Sequence, residues 1–187
     1  MSILLRIRQT RDYLVLRRRA PALPDDARAR LTPAMEQRFR RLAPADQHHL
    51  LATFQKLRET GATEATCVAG LLHDIGKVAD GYRTSILDRV AKVLLHRWQP
   101  RWLAALASRE RPPRLLGGLY CAAAHPLLGA RMAAREGYDP RVCWLIRHHE
   151  DTGHEDAELR RLIAADAGAL PSSWTAGQHA GSRVAAP

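Results

Sequence analysis

The 187-residue sequence lacks any apolar run of about 18 residues, the length that a membrane-spanning helix needs. Its first eight residues also lack a long apolar core and a small-residue cleavage site, so they do not look like a secretion signal. These absences favour a cytoplasmic protein. Peripheral attachment to a membrane is the alternative that they leave open.

Cysteine is scarce, with Cys67, Cys121 and Cys143 as the complete set. An odd number without metal-binding spacing argues against both a disulfide framework and a cysteine-rich zinc site. Each cysteine stands among apolar neighbours. We therefore expect buried free thiols in a reducing compartment.

Runs of β-branched residues with alternating polarity are also missing, so we predict an all-α fold. The chain is long enough for one domain with a substantial core. Residues 171–187, rich in Pro, Ser, Ala and Gly, are predicted to form a disordered tail. The predicted helices are 3–19, 25–31, 33–42, 44–61, 62–72, 84–107 with a break at Pro100, 120–136, 140–149 and 158–169.

The net charge of +10 is distributed unevenly along the chain. Residues 1–50 carry a net charge of +6 and residues 80–115 carry +5. Basic surfaces attract phosphates, anionic lipids or nucleic acid. The plainer interpretation is that the arginines form ordinary solvated faces.

His73 and Asp74 stand side by side at the end of an apolar helical stretch, and Gly76 and Lys77 follow them. Adjacent helical residues diverge by about 100°, but both can reach one metal ion that lies near the end of the helix. We interpret Gly76 as the residue that stops this helix.

The run from Gly70 to Val78 resembles the signature of the HD superfamily of metal-dependent phosphohydrolases. The resemblance covers about residues 40–170 and implies an all-α helical bundle. We assign the HD domain to residues 44–170, with an amphipathic helical insertion at 80–115 and a basic helical extension at 1–43. The further elements that carry the resemblance, in chain order, are His49, His125 in His-Pro-Leu-Leu-Gly, the pair His148 and His149, and Asp166 in Ala-Ala-Asp-Ala.

His48 and His49 compete as the upstream ligand. In the family, the ligand histidine is followed by apolar residues at about positions +2, +5 and +8. Counted from His49 these are Leu51, Phe54 and Leu57, whereas counted from His48 they are Leu50, Thr53 and Lys56. The resemblance therefore favours His49.

The resemblance implies two divalent ions, and histidine and carboxylate ligands suit Mn, Fe, Zn, Co or Ni. Asp74 would bridge the two ions, and Lys77 would contact a phosphate oxygen. We also expect Asp46 and Glu150 to hydrogen-bond ligand imidazoles. The implied ligands are His49, His73, Asp74 and Asp166 for one ion, and Asp74, His125 and His148 for the other. His149 is an additional candidate, and we expect that one residue of the adjacent pair does not bind.

The predicted function is hydrolysis of a nucleotide or another phosphorylated small molecule by a metal-activated water. The His125 and His148-His149 elements also resemble cyclic-dinucleotide phosphodiesterases, although the Gly-Tyr-Pro of that branch is absent. The pattern also resembles the branch that cleaves diadenosine tetraphosphate symmetrically. A third alternative is a basic binding protein, associated with a membrane surface or, less favoured, with nucleic acid, whose metal site is structural or sensory.

Residues 84–107 combine an apolar stripe with Trp98, Trp102 and interleaved basic residues. One hypothesis makes this segment a lid or a helix that lies on an anionic membrane. The competing interpretation is that the stripe packs on its own domain.

Overall fold

The computed structural model describes residues 19–168, and within them the all-α prediction is confirmed. The predicted helix 3–19 and the predicted tail lie outside the described residues, except for Arg19. Short 3-10 turns at Ile75–Lys77 and Arg114–Leu116 supplement the α-helices. The α-helices are α1 (Asp25–Arg28), α2 (Pro33–Arg41), α3 (Pro44–Glu59), α4 (Glu64–Leu72), α5 (Ile86–Trp98), α6 (Pro100–Ala107), α7 (Gly117–Arg135), α8 (Pro140–His148) and α9 (Ala157–Asp166).

Local chemistry fixes where most of these helices begin. The Thr32 hydroxyl accepts a hydrogen bond from the Met35 N–H at the start of α2, and Pro33 occupies the first helical position. The side chains of Thr63 and Asp156 cap α4 and α9 in the same way. The predicted starts of these helices therefore agree with the structure to within about two residues.

Helix α4 lies at the centre of the molecule, and every residue from Thr66 to Leu72 is buried. Helices α3, α8 and α9 pack around it, while α7 packs against α8 and the Ile75–Lys77 turn. A helix that is apolar on all sides is buried on all sides. The C-terminal end of α4, which carries His73, therefore lies inside the bundle.

The N-terminal segment contributes to the same core. Ala27 of α1 and Met35 and Phe39 of α2 are buried in one continuous apolar cluster with the residues of α4. This packing holds α1 and α2 against the bundle.

A small β-hairpin interrupts the helices and was missed by the sequence analysis. Strand β1 (Val78–Ala79) pairs with antiparallel strand β2 (Tyr82–Arg83). Asp80 and Gly81 form the turn with positive φ angles of 51° and 80°. An Asp-Gly pair is a strong hairpin signal, but two-residue strands are too short to show alternating polarity.

Helices α5 and α6 lie within the predicted amphipathic segment, and they separate at Pro100 as predicted. Gln99 between them has non-helical backbone angles. Both helices pack on α7. Helix α6 buries Leu103 and Leu106, whereas α5 contains no fully buried residue. Within residues 19–168, no helix combines the length and the apolar character that crossing a bilayer would require.

Candidate metal centre

The predicted site residues come from five separate helical segments. His73 caps the C-terminal end of α4, and Asp74 precedes the 3-10 turn that follows. His49 lies in α3, His125 in α7, His149 just after α8, and Asp166 at the last position of α9. Because most of these positions are at helix ends, adjacent residues such as His73 and Asp74 can both face the same interior space.

Three imidazoles are oriented by the same kind of hydrogen bond to the backbone. The Nδ1 atoms of His73, His125 and His149 lie 3.0, 2.9 and 2.8 Å from the carbonyl oxygens of Gly70, Ala122 and Ile146. In each case the acceptor is the carbonyl three residues earlier. A proton held on Nδ1 by a carbonyl leaves Nε2 as the atom that is directed into the site, the arrangement typical of metal-binding histidines.

The first cluster contains His49, His73 and Asp74, whose possible ligand atoms lie within 4.8 Å of one another. Asp166 adjoins it, because its Oδ1 lies 2.7 Å from His49 Nε2 and 3.3 Å from His73 Nε2. The structure therefore brings together all four residues that the resemblance implied for one ion. The side chains of His49 and Asp166 are each 33% exposed, so solvent reaches this cluster.

The second cluster contains Asp74, His125 and His149, all three of which are buried. His125 Nε2 lies 3.3 Å from Asp74 Oδ1 and 3.2 Å from His149 Nε2. Asp74 belongs to both clusters through different oxygens, since its Oδ2 is the atom nearest His73, at 3.7 Å. Asp74 thus presents one carboxylate oxygen to each cluster.

The ligand atoms that converge in this site suit a cation. With Nδ1 protonated, a neutral imidazole presents a lone pair at Nε2, and His125 and His149 direct these atoms at each other. His73 Nε2 is buried and makes no well-formed hydrogen bond within the described part of the chain. Acceptor atoms that converge in this way need a proton or a metal ion between them.

The electrostatics of the site depend on its charged neighbours. Burial opposes a charge on His73, but the carboxylates of Asp74 and Asp166 outweigh burial and raise the pKa of His73 to about 9. For His149, burial and then the charges of His73 and His125 lower the pKa to about 3, which keeps this imidazole neutral. His149 is thus ready to bind a metal at neutral pH, whereas metal binding to His73 has to displace a proton.

The pKa values of the two carboxylates, Asp74 and Asp166, are both lowered. Burial alone would raise the pKa of Asp74, but the charges of Lys77 and His73 hold it well below the usual range. Burial is likewise outweighed at Asp166 by the charge of His73 and the hydrogen bond from His49, so its pKa also lies well below the usual range. Both carboxylates are therefore ionised at neutral pH, as metal ligands must be.

The protonated state of His73 gives a pH dependence that can be measured on protein stripped of metal by a chelator. Because folding raises the pKa of His73 from its ordinary value to about 9, the imidazolium stabilises the fold fully below about pH 6.5. This contribution is lost as the pH rises through about 9. We expect Tm to fall across this window. The His73→Gln variant, which cannot titrate there, should show a flatter profile, and an equal fall in both proteins would contradict the assignment.

The structure places His149 in the second cluster and does not bring His148 into either cluster, whereas the sequence favoured His148 of this pair. Its Nδ1 lies 2.6 Å from Asp151 Oδ2, and its ring packs 4.8 Å from the ring of Trp144. Helix α8 ends at His148, so His149 follows as the helix cap and turns inward. The divergence of about 100° between neighbouring helical residues separates this pair, so that only His149 faces the second cluster.

This difference predicts contrasting variants. Metal-loaded wild-type protein should hold about two ions per chain in elemental analysis, and His149→Ala should hold about one. His148→Ala is the matched control, because it removes a neighbouring imidazole of the same helix end, and it should bind as the wild type does. The two-ion assignment is wrong if wild type binds a single ion that survives in His149→Ala.

Three cations border the site. Lys77 donates to Asp74 and lies 3.6 Å from Asp46, and burial of its ammonium group is outweighed by these two carboxylates, which raise its pKa. Arg89 of α5 donates to both oxygens of Asp46 at 2.8 and 2.6 Å. Lys92 of α5 contacts Glu150 at 2.6 and 2.9 Å.

These contacts differ from the expected ones. Asp46 binds Lys77 and Arg89 rather than a ligand imidazole, and Glu150 Oε1 lies 3.8 Å from His125 Nε2, beyond hydrogen-bonding distance. Arg89 and Lys92 were not singled out as site residues. Their spacing of three residues on one helix face was visible in the sequence, but their partners, 43 and 58 residues away, were not.

Gly76 has a different role from the predicted helix stop. Helix α4 ends at Leu72, before Gly76, and Gly76 does not have a positive φ angle. A Cβ atom at this position would lie 2.3 Å from the His125 carbonyl oxygen and 2.8 Å from the Gly129 nitrogen. Gly76 therefore permits the turn that carries Asp74 to pack directly on the backbone of α7, beside His125.

Comparison with known proteins gives one positive result. The family model described as HD domain matches residues 47–170. No curated protein and no solved structure matches the chain. The matched region contains both clusters, and it spans well over half of the sequence. The chain therefore belongs to the HD domain family, a part of the metal-dependent phosphohydrolase superfamily.

Proposed function

We propose that this protein hydrolyses a phosphate ester or anhydride bond in a nucleotide or another phosphorylated small molecule. The observation that carries the proposal is the pair of ligand clusters joined by Asp74, with a separate carboxylate oxygen facing each cluster. Metal pairs held by shared carboxylates are typical of enzymes that cleave phosphate bonds.

The residues present fit two divalent ions of the Mn, Fe, Zn, Co or Ni type. When bound, such ions lower the pKa of a water molecule and polarise a phosphoryl group. His49, His73, Asp74 and Asp166 would hold one ion. Asp74, His125 and His149 would hold the other, which leaves a coordination position for substrate or water.

Lys77 would stabilise charge on the substrate. Its ammonium group already bonds Asp74, is largely enclosed by protein, and stays protonated because Asp74 and Asp46 raise its pKa. A fixed cation next to the ligand clusters can donate to a phosphoryl oxygen as negative charge develops there. This role does not require Lys77 to lose its proton.

Arg89 and Lys92 extend the positive charge from Lys77 toward α5. Their partners Asp46 and Glu150 keep both side chains extended toward the site. A substrate with several phosphates can exchange these carboxylates for its own anionic groups. The arrangement thus favours substrates whose charge exceeds that of a single phosphate.

A purely structural metal site is less consistent with the geometry. Structural zinc sites in proteins are closed and rich in cysteine. Here neither cluster contains cysteine, and His49 and Asp166 are partly exposed to solvent. Solvent access to ligand side chains supports a centre that exchanges small molecules.

A substrate panel tests the proposal. Protein loaded with Mn, Zn or Co is incubated with nucleoside mono-, di- and triphosphates, dinucleoside polyphosphates, cyclic dinucleotides and simple phosphate monoesters, and products are separated by chromatography. We expect metal-dependent hydrolysis that a chelator abolishes and metal restores. Full loading with two ions and no turnover of any of these classes would instead support the sensory or structural alternative.

A further inference from the structure

We propose that the outward face of α5 and α6 docks on an anionic lipid bilayer. This outer face consists of large apolar side chains, and several are mostly exposed: Leu87 by 80%, Trp98 by 70% and Val90 by 52%. The complete set that defines the outer face is Leu87, Val90, Val93, Leu94, Trp98 and Trp102.

The exposure is concentrated in one place. Within residues 19–168, six of the seven exposed large apolar side chains belong to this outer face, and Leu115 is the seventh. Leu87, Val90, Leu94 and Trp98 recur every three or four residues, so they lie along one side of α5. Continuous apolar surface on a folded domain marks an interaction site.

Helix α5 differs from an ordinary amphipathic surface helix, because most of its large apolar side chains are exposed. Its inner side carries Ala91 and Leu95, which pack against the core, and also two ion pairs, because Arg89 bonds Asp46 and Lys92 bonds Glu150. A capping box between Ser85 and Asp88 fixes its first turn. The inward ion pairs therefore fix the helix with its large apolar residues outward, whereas a surface helix that packs on its own domain places such residues inward.

The charge around the outer face identifies the partner. Residues 80–115 carry a net charge of +5, and exposed arginines there include Arg97 and Arg101. Basic residues at the edge of an apolar stripe attract anionic headgroups, and indole side chains such as Trp98 and Trp102 prefer the boundary between headgroups and acyl chains. A second copy of this chain fits less well, because a symmetric contact would place the two basic rims against each other.

Vesicle sedimentation with the full-length chain tests this surface. Vesicles of phosphatidylcholine alone are compared with vesicles that also contain phosphatidylglycerol, at low and at high salt. We expect binding to the anionic vesicles at low salt and its loss at high salt, because ions screen the attraction. Failure of wild type to bind anionic vesicles at low salt would overturn the proposal.

Matched variants locate the binding. Leu87→Glu and Trp98→Glu place a charge at the two most exposed positions of the outer face and should weaken binding at least about tenfold. Leu115→Glu, at a leucine that is 98% exposed and lies outside α5 and α6, should bind as wild type does. Equal binding by all three variants would show that α5 is not the docking surface.

Charge reversal separates lipid binding from association between chains. Arg97→Glu should reduce binding to anionic vesicles, whereas Arg160→Glu, at an exposed position on α9, should not. Light scattering of the same samples without lipid measures the mass in solution. If wild type is a dimer that Leu87→Glu converts to a monomer, a second copy covers this face and the lipid proposal is wrong.

Discussion

The Asp74→Asn variant should lose both metal ions and reduce phosphate release by at least about 100-fold, the upper end of what loss of a supporting group costs. Asparagine has nearly the same shape as aspartate, so the packing of this buried residue is preserved. The charge that faces His73 and Lys77 through Oδ2 and His125 through Oδ1 disappears. The expected loss of metal and activity is large because Asp74 belongs to both clusters.

Elemental analysis after metal loading and an assay of phosphate release measure the result. Asp151→Asn is the matched control, because Asp151 also bonds a histidine, His148, but lies outside both clusters. It should keep its metal and its activity. If the Asp74→Asn variant retains two ions and full turnover, Asp74 does not join the two sites.

The Gly76→Ala variant should be strongly destabilised. The added Cβ would meet the His125 carbonyl oxygen at 2.3 Å and the Gly129 nitrogen at 2.8 Å, and backbone atoms cannot move aside as a side chain does. Overpacking of this kind costs about 1–3 kcal/mol, which lowers Tm by about 2–12 °C in a chain of this size. Separation of the turn from α7 also moves Asp74 away from His125, so the second cluster should bind metal more weakly.

Thermal melts of protein without metal isolate the packing effect, and metal titration then measures the loss of affinity. Gly153→Ala is the control, because a Cβ at Gly153 would have no atom within 4 Å. The Gly153→Ala variant should have the same Tm as the wild type. A Gly76→Ala protein with unchanged Tm and unchanged metal content would show that the turn and α7 can separate without cost.

The features predicted correctly from the sequence are those that depend on neighbouring residues. Thr32 and Pro33 define the start of α2, and Pro100 separates α5 from α6, because caps and proline act within one turn. The candidate ligand residues were chosen by the order of motifs along the chain, and the structure brings all of them except His148 close together. A known order of motifs carries long-range information that periodicity alone lacks.

What escaped prediction depends on distant contacts or on single-residue differences. The pairing of Arg89 with Asp46 joins residues 43 positions apart, and no local pattern specifies it. The choice between His148 and His149 depends on where α8 ends, and helix boundaries are the least certain part of a sequence-based assignment. Gly76 was interpreted as a helix stop because its real constraint, the backbone of α7, lies 50 residues further along the chain.

The hydrogen bonds from His73, His125 and His149 to backbone carbonyls have an evolutionary consequence. Main-chain carbonyls are present whatever residue supplies them, so substitution at Gly70, Ala122 or Ile146 leaves the acceptor in place. The tautomer of each imidazole is thus set by the backbone of its own helix rather than by a side chain. The orientation of these imidazoles therefore does not depend on Arg89 or Lys92, so the substrate contacts that we propose for those two side chains could change without altering it.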